Sequence, residues 1–206
     1  MPNFPWSRKI QSSDGRPAGF QGRYYNKNPA INWSSYIPIA GQPITYLEIG
    51  CADGGNAIHI ANSYCNHPAS RIFCVDPWMD YDEYPEYKGQ QDVAWRTFNT
   101  NIQNSGHASK FVIKRGLSDD VVPTFEDDSF DIIFVDGNHE TDFVYRDGVM
   151  SLTKVKSGGY IVFDDYAQLP WAQTMKGIDM FIEDHKDQID VIVKSFNFFQ
   201  VIVRKK

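Results

Sequence analysis

ITYLEIGCADGGNAIHIANSYC, residues 44–65, decides how this chain is read. Its first seven residues form an apolar run that stops at Gly50. From Gly54 the pattern changes, placing Ile58, Ile60, Ala61 and Tyr64 on one side of a helix. A strand, a glycine-bearing turn and a helix, in that order, is the opening unit of a parallel α/β sheet.

The unit recurs down the chain. RIFCVD (71–76) reads as a second strand, DVAWRTFNTNIQNSG (92–106) as a helix closing on Gly106, FVIKRG (111–116) as a third strand and DIIFVD (131–136) as a fourth. A helix over Thr141–Val155 leads through KSGG to a fifth strand, YIVFDD (160–165), and GIDMFIEDHKD (177–187) is the last helix. DVIVKSF (190–196) and FFQVIVRKK (198–206) have too few residues between them for a parallel crossover, so they pair antiparallel. The pattern predicts an α/β fold: a Rossmann-like, doubly wound seven-stranded sheet, parallel except for an antiparallel C-terminal hairpin strand, which the hairpin adds at the edge. Residues 1–43 are rich in Pro, Gly, Asn and Tyr and read as an irregular lead-in with a short helical turn near Trp33 to Tyr36. Its Tyr24, Tyr25, Trp33 and Tyr36 either form a lid or cover the sheet. Residues 44–206 form the domain proper.

Composition narrows the class. At 206 residues, 42% hydrophobic and 22% charged, the chain suits one globular domain, and its longest apolar runs are strand-sized, so no membrane association is expected. Arg8 and Lys9 precede no apolar stretch, which argues against a secretory signal, so a cytoplasmic site is the default expectation. The odd set Cys51, Cys65 and Cys74 lacks metal-ligand spacing and is expected as reduced thiols. A net charge of -6 argues against nucleic acid as a partner; a homo-oligomer is compatible with everything above.

In doubly wound sheets, ligands bind beyond the carboxyl ends of the strands. Glu48, Gly50, Asp76, Asp136, Asp164 and Asp165 all fall there. The glycines at 50, 54 and 55 follow Gly-x-x-x-Gly rather than the tight turn that cradles a pyrophosphate, so the loop suits an uncharged or cationic group, with Glu48 near to attract positive charge. Asp76 is placed to accept from the two hydroxyls of a ribose. The bland alternative is a structural turn and an ordinary strand-end acid.

LEIGCADGG, FCVDPW, RGLSDD, FDIIFVDGNH, VKSGGYIVFDDY and the closing hairpin, taken in order, resemble the class I S-adenosylmethionine-dependent methyltransferases. Within them the chain looks most like the macrocin-type and cephalosporin-hydroxylase-like sugar and natural-product O-methyltransferases. The resemblance covers residues 44–206. It implies S-adenosylmethionine as cofactor, with Gly50, Cys51, Ala52, Asp53 and Gly54 facing its methionine part, Glu48 near the amine, Asp76 on the ribose, and Ser118 with Asp119 at the adenine; Trp78 would wall the same pocket.

Asp136, Asp164 and Asp165 should meet where the fourth and fifth strands lie side by side. Three carboxylates together call for raised pKa values or a cation, and such a donor set suits Mg2+ or Mn2+. The resemblance likewise implies these three as ligands of a divalent metal; the alternative is that Asp165 caps a turn and Asp164 alone faces the pocket. A metal there would activate a substrate hydroxyl, and His139, with an ordinary pKa of ~6.5, is the candidate general base or else a substrate hydrogen-bonder. Asn138 stands where the macrocin-type pattern has an acid and cannot be a base. The loop PWMDYDEYPEYKG (77–89) interleaves Trp78, Tyr81, Tyr84 and Tyr87 with acids, a surface suited to a sugar or simply a packed loop. The expected activity is methyl transfer to a hydroxyl of a saccharide or glycosylated small molecule. The alternatives are a catechol-like or other small-metabolite O-methyltransferase, or a non-catalytic S-adenosylmethionine-binding module in a glycan-building assembly.

Overall fold

The computed structural model of the protein describes residues 29–39, 41–80, 88–168 and 172–206. Tyr24, Tyr25, Tyr81, Tyr84 and Tyr87 lie outside the described residues. Seven strands form one sheet: β1 (Thr45–Ile49), β2 (Arg71–Asp76), β3 (Phe111–Arg115), β4 (Phe130–Val135), β5 (Val155–Phe163), β6 (Ile189–Ser195) and β7 (Gln200–Lys205). Their order is β3-β2-β1-β4-β5-β7-β6. The helices are α1 (Gly55–Asn62), α2 (Gln91–Asn104), α3 (Ser118–Val121), α4 (Thr141–Lys154) and α5 (Ala172–His185).

The expected mixed sheet is present, and its hairpin is arranged more specifically than the sequence suggests. β7 runs antiparallel to both β5 and β6 and lies between them, so the outermost strand is β6. KSGG is part of β5 rather than a link before it. Gly158 takes φ +78, and the β4–β5 register shifts between Phe130 and Ile132, so the strand absorbs an irregularity where the sequence suggests a break. α5 starts earlier than its periodicity suggests, and α3, a single short turn followed by Pro123, has no periodicity to reveal it.

Alternation along β1 distributes its side chains between two cores. Leu47 and Ile49 join the apolar cluster under α4 and α5, whereas Tyr46 joins the opposite cluster, with Trp33, Ile58 and Phe134. Trp33, from a 3-10 helix over Pro29–Ser35, is fully buried there and covers the sheet. Its Nε1 donates to Gln200 Oε1 at 2.9 Å, tying the lead-in to β7. All three cysteines are buried and free. No described helix is long and apolar enough to cross a membrane.

Strand order reverses between β1 and β4, and there the chain turns leave a cleft. Gly50 N donates to Val75 O, Asp136 N to Ile49 O and Asp164 N to Val135 O, at 2.9, 2.9 and 3.1 Å, so the rim continues the ladder one residue beyond the strands. Gly50 is required by this closeness: with φ +84, a Cβ there would lie 1.9 Å from Asp136 O.

Candidate active site

The cleft at the reversal has a volume of about 620 Å³, within the range of small-molecule and cofactor pockets. Glu48, Asp53, Asp76, Asp119, Asp136, Asp147 and Asp165 line it; among the described residues, no Lys or Arg does. Such a wall disfavours phosphates and favours a cation or a neutral hydrogen-bond donor.

One end is built by β1 and the first turn of α1. Glu48 is 1% exposed and accepts from Tyr46 OH at 2.6 Å and Asn56 Nδ2 at 2.9 Å. Burial pushes its pKa up to about 7, against the lowering effect of those two donors. Asn56 Nδ2 also donates to Tyr46 OH at 3.0 Å, yet Asn56 Oδ1 is buried with no partner. A buried amide oxygen without a donor is costly, and here it sits beside an acid on a cleft that both residues line. The pair fits an ammonium group.

Asp76 has a different setting from the one the sequence suggests. Its Oδ2 accepts from Cys51 N and Ala52 N at 2.9 and 3.0 Å, and its Oδ1 from Trp78 N at 2.7 Å. A carboxylate offers about four acceptor directions, so little remains for two ribose hydroxyls while these three donors hold. Burial nonetheless raises its pKa, which the same N–H groups lower. Asp76 thus fastens the loop over residues 50–54, in which Ala52 itself takes φ 43. Gly54 does not line the cleft; it packs against Phe98. Trp78 is 1% exposed, packs in tilted contact with Trp95 and Phe98 at centroid distances of 4.7 Å, and donates from Nε1 to Ala52 O at 3.0 Å. It supports the loop from behind rather than walling the pocket.

The opposite end gathers Ser118 and Asp119 with two residues that sequence reading passes over, Phe143 and Asp147. Asp119 pairs with Arg146 at 3.0 Å. Asp147 is 3% exposed, accepts from the Ser118 side chain, and has its pKa pushed up to about 7 by burial.

On the β4 and β5 side of the cleft lie the strand-end acids. The structure brings Asp136, His139 and Asp165 together, with one ligand atom of each within 4.8 Å of the others. His139 Nε2 is 2.7 Å from Asp165 Oδ2 and 4.0 Å from Asp136 Oδ1. Asp164 is not part of this group. It leaves β5 on the face shared with Val162, accepts from Gln200 Nε2 at 3.0 Å and is not among the residues that line the cleft. Asp165 reaches the cleft because its own backbone turns left-handed, φ 56, and Gln168 Nε2 donates to its second oxygen at 2.7 Å. Asn138 Oδ1 accepts from Glu140 N at 2.7 Å, shaping the turn into α4. Two carboxylates and an imidazole fit a divalent ion that accepts nitrogen as well as oxygen, Mn2+ more readily than Mg2+.

A mixed sheet with order 3-2-1-4-5-7-6, antiparallel only at β7, and an acid-lined cleft at its reversal define a class I methyltransferase-type fold. Residues 47–166, more than half of the chain, match the family described as a methyltransferase domain, and the chain belongs to that family. Uncharacterized protein R132 of Acanthamoeba polyphaga mimivirus is 28% identical over 145 residues, 68% of this chain and 60% of that protein, so the chain spans less than two thirds of its relative's length. The O-methyltransferase TomG of Streptomyces achromogenes, crystallised with SAM and involved in tomaymycin synthesis, superimposes with a TM-score of 0.61 at 17% identity, over 80% of this chain and 74% of its own. The SAH-bound methyltransferase PaMTH1 of Podospora anserina does so with 0.60 at 19%, over 80% and 72%. At these identities the likeness establishes the fold.

Proposed function

We propose that the protein transfers a methyl group from S-adenosylmethionine to a hydroxyl of a sugar or glycosylated small molecule. The observation that carries this reading is the shared cleft: Gly50, Cys51, Ala52 and Asp53 and the group Asp136, His139 and Asp165 open on the same space. The methionine ammonium would lie against Glu48 and Asn56 Oδ1, and the sulfonium in a field of carboxylates suited to a cationic reactant. An acceptor without phosphates matches a wall that, among the described residues, holds no Lys or Arg, and an uncharged polyol would donate its hydroxyls to such acids.

Asp136, His139 and Asp165 would hold a divalent metal, which when bound supplies Lewis acidity to lower the pKa of the acceptor hydroxyl. Holding it requires His139 Nε2 to give up its contact with Asp165, so the three residues have two uses. The 2.7 Å His139–Asp165 contact favours the second: Asp165 orients the imidazole, His139 takes the proton from the hydroxyl, and Asp136 accepts from the acceptor. The oxygen lone pair then displaces S-adenosylhomocysteine from the methyl carbon.

Chelation separates the two uses. Purified protein is treated with EDTA, then assayed for S-adenosylhomocysteine release against a panel of sugars and catechols, with and without Mn2+. Loss of turnover restored by Mn2+ supports the metal. Full turnover after chelation, with His139→Ala reducing kcat by roughly 10²–10⁴-fold, supports the imidazole base. Cofactor binding without turnover on any acceptor in the panel would sink the enzymatic reading and favour a binding module.

A further inference from the structure

We propose that Asp147 accepts a hydrogen bond from the 6-amino group of the cofactor's adenine and thereby selects adenine over 6-oxopurines. The inference rests on the S-adenosylmethionine reading above. Asp147 projects from α4 into the cleft, is 3% exposed, and takes one hydrogen bond from the Ser118 side chain. Gly137, just beyond β4, passes so near that a Cβ there would lie 3.3 Å from Asp147 Oδ2. The carboxyl is therefore wedged between the turns that follow β3 and β4. Asp119, the acid that the family resemblance points to at this end, is already engaged, since the Arg146 guanidinium lies 3.0 Å from its Oδ2.

The apolar lining of the cleft suits a flat ring. Leu117, Met79 and Val93 line the cleft and remain 47%, 49% and 53% exposed, and Phe143 lines it as well. A purine resting on these side chains would cover apolar surface that is otherwise wet. Its polar edge then needs a partner, and Asp147 is the buried acid beside Ser118. Ionised, as it is above its pKa of about 7, the carboxyl only accepts, so it pairs with the N–H of a 6-amino group and repels a 6-oxo oxygen. An amide in its place offers a donor as well and can turn to meet either group.

The test is calorimetric binding at pH 8, where Asp147 is ionised, of S-adenosylhomocysteine and S-inosylhomocysteine, which differ at C6 and the adjoining N1, to wild type, Asp147→Asn and Asp147→Ala, each checked for a cooperative thermal melt. Wild type should prefer the adenosyl ligand by about tenfold or more, and both variants should bring the ratio within roughly threefold. Removing a buried acid leaves the near-isosteric Asn variant able to fold even if the Ala variant does not. A wild-type preference that persists unchanged in a folded variant overturns the assignment of Asp147, as does a wild type that binds both ligands equally. Failure of wild type to bind either ligand overturns the cofactor reading and this inference with it.

Discussion

Glu48 illustrates how one buried side chain can tie cofactor affinity to pH. Its carboxyl is held by Tyr46 and Asn56, and burial raises its pKa to about 7. An ammonium binds the ionised form, so cofactor affinity should rise with pH through the neutral range and level off once Glu48 is ionised without help. Glu48→Gln removes the charge and keeps most of the shape. The variant should bind S-adenosylhomocysteine at least tenfold more weakly at pH 8, by the strength of a charged hydrogen bond, with a smaller difference at pH 6. Calorimetry across that range checks it; an equal loss at both pH values would place the ammonium elsewhere. Asn56→Leu deletes the unpartnered Oδ1 together with two donated bonds, and should weaken the same ligand.

At the scale of elements, the site depends on how strand ends crowd together. Gly50→Ala should abolish folding or cost the protein more than about 3 kcal/mol, because the added carbon meets the Asp136 carbonyl and the backbone is left-handed. Urea unfolding of the purified variant measures this, and a loss under about 1 kcal/mol would mean that the β1 and β4 ends can part easily. Gln200→Leu tests the other side of the sheet. It leaves Trp33 Nε1 without its acceptor and removes a donor from Asp164, for a loss of about 1–3 kcal/mol. The alternation of strands and helices is legible in the sequence because each period is long and bounded by glycine or acids, and it places the cleft correctly at the strand ends. The choice between Asp164 and Asp165 is not legible, since it follows from one left-handed residue that no spacing announces. Asn56 and Asp147 read as ordinary polar positions on helices; only the packing of α1 and α4 against the sheet turns them inward. Trp78, conversely, looks like a pocket wall in a line of aromatics and proves to be a prop.

For the molecule as a whole, two buried acids oppose the usual dependence of stability on pH. Glu48 and Asp147 both have pKa values pushed up to about 7 by burial, well above the carboxyl values of an unfolded chain, near 4. The folded state therefore holds these protons more tightly than the unfolded state. Their contribution to stability is complete below about pH 4 and is lost as pH rises through about 7. Once ionised, each group costs the fold roughly 2–4 kcal/mol, a large share of the ~5–15 kcal/mol that holds a typical domain together. Ligand-free protein should accordingly show a urea midpoint that falls between pH 5 and pH 8. The Glu48→Gln/Asp147→Asn double variant should flatten the profile and surpass wild type at pH 8. Saturating S-adenosylhomocysteine should restore wild-type stability most at pH 8, because its ammonium and 6-amino groups supply partners for the two ionised carboxylates. A ligand-free midpoint that stays level from pH 5 to pH 8 would mean that water reaches both acids, and that the cleft is less sealed from solvent than their burial implies.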